Sequence, residues 1–133
     1  MIGLVLISHG RLAQAFIEIL EHVVGPQKQI AAIGILAEDD MEQRRVELAK
    51  AIDTVDTGSG AIVLTDMFGG TPSNIAITMM SREQTEVIAG VNLPMLIRLA
   101  TIRETLSLED AVLSAQEAAR KYISVASSIL NDA

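Results

Sequence analysis

The chain opens on a run that leaves few choices of fold: Ile2-Gly3-Leu4-Val5-Leu6-Ile7, with no polar side chain among them, followed at once by Ser8, His9 and Gly10. A strand with one wet face alternates apolar and polar residues. One without alternation is buried on both faces, as in a parallel sheet held between two layers of helices. Open sheets of that kind bind ligands in the crevice outside the carboxyl ends of their strands, where the strand order reverses. His9 lies just past such an end. A second buried run, Ala61 to Leu64, leads in the same way into the stretch TDMFGGTPSN at 65–74, and the two loops are expected to face each other.

Between and after these runs, strand and helix patterns alternate over nearly the whole chain. Leu12, Phe16, Ile19, Leu20 and Val23 recur at helical spacing until Gly25-Pro26 stops them. Ile30 to Leu36 reads as a strand in which Gly34 marks a close approach of another backbone. Asp40 and Gln43 form a capping-box pattern, which explains the Glu38-Asp39-Asp40 cluster better than a cation site does. Met41, Arg45, Leu48, Ala49, Ile52 and Val55 then make one helical face. The Gly58-Ser59-Gly60 loop precedes a strand and lacks the third glycine of a dinucleotide fingerprint.

Thr71-Pro72 is expected to supply an N-cap and a first-turn proline to a short helix over 73–81, and Thr85 to Ala89 is a fourth strand. Asn92 caps the next helix, with Pro94 in its first turn. Ser107 and Asp110 form a second capping box before a helix that turns Leu108, Ala111, Val112, Ala115, Ala118 and Ala119 inward. Beyond Arg120 the pattern fits two structures: a continued helix, or a short strand near residues 122–126. The fold class is therefore α/β, with an open, twisted, mostly parallel sheet of four strands in the order 2-1-3-4 and helices on both faces. A fifth, antiparallel strand near the C-terminus is the optional addition.

A chain of 133 residues is the length of one domain, and residues 1–133 are expected to form it. Half of them are hydrophobic but only two are Phe and one Tyr, so the core must be aliphatic. The net charge of −7 argues against nucleic acid and favours basic partners. Without cysteine there is no disulfide, thiolate metal site or thiol nucleophile, which fits a reducing compartment. No apolar run approaches the ~20 residues of a membrane span, and no basic segment precedes the first one. A cytoplasmic protein with no membrane insertion, no cofactor and no metal is expected.

The chemistry of the two loops follows from their residue types. An imidazole is nucleophilic at one nitrogen when its other N–H is held by an acceptor, and Asp66 would be that acceptor for His9. Gly69 and Gly70 let the backbone approach a ligand, and the N–H groups opening the helix at Thr71 suit an anion. Arg11 adds a cation if it faces the crevice. Together these parts describe phosphoryl transfer onto a histidine, where positioning and charge stabilisation do most of the catalysis. Each part also has a plainer reading: His9 as a polar loop residue, Asp66 as a turn cap, the glycines as turn residues and Thr71-Pro72 as a helix start. His22, on the outer turn of the first helix, has only the plain one.

The three stretches IGLVLISHG, TDMFGGTPSN and VIAGVNLPML, in this order and at these separations, resemble the mannose-type IIA domains of the bacterial phosphoenolpyruvate-dependent sugar phosphotransferase system. The resemblance runs through essentially the whole chain. It implies a homodimer whose histidine takes phosphate from the small histidine-containing phosphocarrier protein and passes it to a IIB partner. By motif position it implies His9 as the phosphorylated residue and Asp66 as the carboxylate that orients it. Gly69, Gly70 and Thr71 would line the phosphate site, with Arg11 and Asn92 near its rim.

Members are often fused to a IIB domain through an Ala/Pro-rich linker; this sequence ends at Asn131-Asp132-Ala133, so a separate IIB protein or a regulatory target is the expected acceptor. The final short strand that members exchange between subunits would fall at Tyr122 to Ala126. A phosphoprotein subunit feeding a dihydroxyacetone kinase is a related alternative. From other classes come a small tetrapyrrole metal chelatase using His9, which would need ligands from a distant segment, and a passive anion-binding domain. A serine hydrolase is set aside because Ser8 adjoins His9 and no other histidine is suitably placed.

Overall fold

In the computed structural model, which describes residues 1–131, the strands β1 (Gly3–His9), β2 (Ile30–Ile35), β3 (Ala61–Thr65) and β4 (Thr85–Ala89) form one sheet in the order β2-β1-β3-β4. Every pairing is parallel, with Ser8 opposite Gly34 on one side of β1 and Ile7 opposite Thr65 on the other. The helices are α1 (Leu12–Val24), α2 (Met41–Val55), α3 (Thr71–Ile77), α4 (Leu93–Ile102), α5 (Leu108–Lys121) and α6 (Ala126–Asn131), with a 3-10 turn over Thr78–Ser81. The chain steps from β1 to β2 in one direction and from β2 back past β1 to β3 in the other. The switch point therefore falls between β1 and β3, the two strands that carry the candidate loops.

The unbroken apolar runs are explained by two cores, one on each face of the sheet. Leu4 and Leu6 of β1 and Ile62 and Leu64 of β3 point to a face covered by α1, α4 and α5. Val5, Ile7 and Val63 point to the other, covered by α2 and α3. Each fully buried Leu or Ile contributes roughly 1.5–3 kcal/mol of hydrophobic stabilisation. Aliphatic residues and Met fill both cores, with half-buried Phe16 packed against the first.

The expected caps are largely in place. Asp40 accepts from the N–H groups of Glu42 and Gln43, Asn92 from Met95 and Ser107 from Asp110. Asp39 accepts from the Leu36 N–H and pairs with Arg44, so the acidic cluster at 38–40 is turn and helix-start chemistry. At 71 the expectation is corrected: the N-cap is Gly70, Thr71 is the first helical residue, and Pro72 the second. No side chain caps this helix, and the Asn74 N–H bonds to the Gly70 carbonyl, which sets the first turn one residue earlier than expected.

Two further expectations change. The face that α1 buries is Ala13, Ile17 and Leu20, whereas Leu12, Ile19 and Val23 are exposed. The helix carries two apolar stripes, and spacing alone cannot say which one meets the sheet. Residues 122–126 form neither the fifth strand nor a continuation of α5. The Tyr122 N–H bonds back to the carbonyls of Ala118 and Arg120, which closes α5, and the chain restarts as α6 at Ala126. Tyr122, Ile123 and Val125 stand exposed.

The end of the sheet opposite the candidate loops is fastened by Arg103, a buried cation that composition gave no reason to single out. Its guanidinium donates to the carbonyls of Ile2 (2.9 Å) and Gln29 (2.6 Å) and to the Gln27 side chain (3.3 Å). Burial lowers its pKa to about 10, against the opposing pull of the Glu104 charge, so it remains a cation at neutral pH.

The glycine in β2 holds the candidate site in place. A Cβ on Gly34 would lie 2.1 Å from the carbonyl oxygen of Gly10. Gly10 itself adopts φ +54° and donates its N–H to Ile35 at 2.9 Å, so the turn that follows His9 rests directly on β2. Gly34→Ala is expected to cost about 3 kcal/mol in urea unfolding, because the obstructing atom is backbone. A loss within experimental error of zero would show that the turn yields freely.

Candidate active site

His9 is the last residue of β1, and Asp66 follows directly on β3. Because the two strands are neighbours in register, the side chains meet at the carboxyl edge of the sheet. His9 Nδ1 lies 2.7 Å from Asp66 Oδ2, and the same oxygen accepts the His9 backbone N–H at 3.0 Å. The other carboxylate oxygen accepts from the Met67 N–H at 3.0 Å. Asp66 thus fixes both the ring and the backbone of His9. The Asp66 side chain is 12% exposed and that of His9 53%.

Electrostatics decides the tautomer. Burial works against the Asp66 charge, but the hydrogen bonds from the His9 N–H and ring, the ring's charge and the Met67 N–H outweigh it, and the carboxyl titrates below its usual 3.8. Ionised at neutral pH, it can only accept, so Nδ1 carries the hydrogen, and the ring in its neutral form has its lone pair on Nε2.

Nε2 looks toward Gly70. A Cβ there would stand 2.7 Å from His9 Cε1 and 3.0 Å from Nε2. Gly70 has φ −97° and ψ 171°, a conformation open to any residue, so its glycine provides room rather than a special backbone angle. Gly69 is different: at φ +87° it occupies the left-handed region. Its N–H is engaged by Ser73 Oγ at 3.1 Å, and that hydroxyl donates to the Gly70 carbonyl at 3.0 Å. Thr71 is exposed at the start of α3.

The β1–α1 turn is braced from below by another hydroxyl. Ser8, almost fully buried, accepts the Ala13 N–H at 2.7 Å and donates to the His9 carbonyl at 3.2 Å. Arg11 stands exposed at the N-cap of α1. Asn92 lies one strand further out, after β4, and both its polar atoms are committed: Oδ1 accepts from Met95 and Nδ2 donates to the Ala119 carbonyl at 3.0 Å. The structure therefore brings His9, Asp66 and Gly70 into contact, with Gly69 and Thr71 beside them. The contributions of Ser8 and Ser73 were not legible: a lone serine in a loop has no periodicity, and its worth depends on which backbone groups the fold brings to it. Among the described residues, no three His, Asp or Glu side chains gather as a metal-binding group.

Fold and site together define a class: a doubly wound parallel α/β domain that presents one carboxylate-oriented histidine at its switch point. The family model for PTS system fructose IIA components (EIIA-man), where PTS is the phosphotransferase system, matches residues 3–116, and the chain belongs to that family. It is 33% identical over 128 residues to the PTS system mannose-specific EIIAB component of Escherichia coli K12, covering 92% of this chain and 38% of that protein. The chain thus spans little more than a third of that relative's length. The PTS system fructose-specific EIIA component of Bacillus subtilis is 28% identical over 111 residues, 83% of this chain and 76% of that one. The crystal structure of the phosphotransferase system component EIIA from Streptococcus agalactiae superposes with a TM-score of 0.87 at 25% identity, covering 96% of this chain and 99% of that one.

Asp66 carries a testable pH signature. Its folded pKa is depressed, so its contribution to stability is complete above the unfolded carboxyl's value of 3.8 and is lost as pH falls through the lower folded value. The stability difference between wild type and Asp66→Asn, followed by urea unfolding, is expected to shrink as pH falls below about 4. A difference independent of pH down to acid unfolding would mean that the carboxylate charge contributes nothing.

Proposed function

We propose that this chain is a phosphoryl carrier of the sugar phosphotransferase system, accepting phosphate on His9 Nε2. The observation that carries this reading is the 2.7 Å contact of Nδ1 with Asp66, which leaves Nε2 as the free, exposed nucleophile beside Gly70. In the first step the Nε2 lone pair forms a bond to phosphorus as the donor's N–P bond breaks, and the donor nitrogen keeps the electron pair. No proton need move: Nδ1 keeps its hydrogen, and the positive charge gained by the ring is met by the Asp66 carboxylate. In the second step a nucleophile on the acceptor attacks the phosphorus and His9 leaves as neutral imidazole.

The transferring group carries its charge on three equatorial oxygens, and the backbone N–H groups of Gly70 and Thr71 are the donors we assign to it. Gly69 serves by conformation, since its own N–H is occupied. Arg11 adds positive charge near the entrance. Asn92 we assign to holding α4 against α5 rather than to the phosphate.

The donor in this reading is the small histidine-containing phosphocarrier protein and the acceptor a IIB protein, as expected from the family to which the chain belongs. A regulatory target reading the phosphorylated form is the other acceptor consistent with the same chemistry. Exposure of Tyr122, Ile123, Val125, Ile129 and Leu130 supports a homodimer in which a second copy covers the C-terminal segment.

Incubation with labelled phosphoenolpyruvate, the general phosphotransferase enzyme and the histidine phosphocarrier tests the proposal. Wild type should take up acid-labile, alkali-stable label, and His9→Ala none. Asp66→Asn removes the charge that meets the positive ring, and either orientation of its amide sets an NH2 against the N–H of His9 or of Met67, slowing labelling roughly 100- to 10,000-fold. Equal labelling of His9→Ala and wild type, or none on wild type with active donor proteins, would refute the proposal.

A further inference from the structure

The loop that brings Gly70 to His9 is weakly held by its own residues. Met67 and Phe68 are 56% and 66% exposed, and Gly69 has no side chain to pack. Apart from the Asp66 contact to the Met67 N–H and the bond from the Asn74 N–H to the Gly70 carbonyl at 3.1 Å, the ties are a 3.2 Å bond from the Thr65 hydroxyl to the Met67 carbonyl and the two bonds of Ser73, which alone reach Gly69. Ser73 is fully buried in the first turn of α3. Its hydroxyl spends both its donor and its acceptor on the glycine pair, taking the Gly69 N–H at 3.1 Å and giving to the Gly70 carbonyl at 3.0 Å.

We propose that Ser73 is a positioning residue for phosphoryl transfer: its hydroxyl clamps the Gly69-Gly70 segment onto α3 and thereby sets the distance between the Gly70 backbone and His9 Nε2. This rests on the reading of His9 as phosphoryl acceptor. Three features support it. The clamp acts on the segment whose Cα leaves no room for a Cβ against the imidazole, so small displacements of that segment are felt at Cε1 and Nε2. Both hydrogen bonds of the Ser73 hydroxyl go to the loop and neither to the ring, so it acts through the loop. The clamp also removes the Gly69 N–H from the set of free donors, leaving those of Gly70 and Thr71 to meet the phosphoryl oxygens. Orientation of donors toward the charge that develops in the transition state is where such sites gain most of their rate.

The test compares wild type, Ser73→Ala and Ser73→Cys, the last keeping the volume of the side chain with weaker hydrogen bonding. The rate of His9 labelling is measured as a function of phosphorylated donor protein, and the His9 Hε1 resonance is recorded in the unphosphorylated proteins. Ser73→Ala is expected to lower the saturating rate at least fivefold while the donor concentration for half-maximal rate changes less than twofold. Ser73→Cys should fall between, and Hε1 should move in the same order. A merely structural serine would lower the folded fraction but leave the per-folded-molecule rate and Hε1 alone.

A Ser73→Ala rate within twofold of wild type with an unmoved Hε1 would overturn the clamp and leave the phosphoryl carrier standing. Absence of label on wild type itself would overturn both. Should Ser73→Ala not fold, Ser73→Cys decides: a wild-type saturating rate and an unmoved Hε1 overturn the clamp.

Discussion

The bond between His9 Nδ1 and Asp66 Oδ2 joins residues 57 positions apart in sequence, and it exists because β1 and β3 lie side by side in parallel. Parallel pairing puts the carboxyl ends of both strands at the same edge of the sheet. The register that sets Ile7 opposite Thr65 brings Asp66 beside Ser8, one residue short of His9, from where its carboxylate reaches both the backbone N–H and the ring of the histidine. Everything the site does chemically begins there. An ionised Asp66 determines which nitrogen holds the hydrogen, and that determines which nitrogen is a nucleophile.

The backbone around this pair is kept close by absent side chains and buried hydroxyls. Gly34 admits the Gly10 carbonyl on one side of His9, and Gly70 admits the imidazole on the other. Ser8 and Ser73 each spend their hydroxyls on backbone groups of the adjoining loop. Such bonds contribute about 1 kcal/mol each to stability, but leaving a buried hydroxyl unpaired costs more, so the loops have little freedom to adopt other shapes. At the far end of β1, Arg103 does the same for the Ile2 and Gln29 carbonyls with a cation.

Much of this was legible in the sequence because it depended on local pattern. Unbroken apolar runs mark the parallel strands, Asp40, Asn92 and Ser107 mark helix starts, and a glycine inside a strand, as at Gly34, marks a close approach whatever its neighbour. His9, Asp66 and Gly70 lie together because strand ends of this topology converge, a placement that the two buried runs ahead of them already imply. What was missed depended on tertiary partners. The buried face of α1 could not be chosen between two apolar stripes, the bonds of Ser73 depend on which loop groups the fold sets beside it, and Arg103 is explained only by the carbonyls that surround it. At 122–126 strand and helix propensities were balanced, and the chain adopts an exposed connection between α5 and α6 instead.

The central claim concerns one ring, and nitrogen-15 NMR of the His9 imidazole examines it most directly. In the unphosphorylated protein at pH 8, Nδ1 should carry the hydrogen and Nε2 should show the shift of an unprotonated nitrogen. After phosphorylation, the coupling to phosphorus should appear on Nε2 alone. Phosphorus on Nδ1, or hydrogen on Nε2 in the free protein, would contradict the assignment of Asp66 as the group that orients the nucleophile.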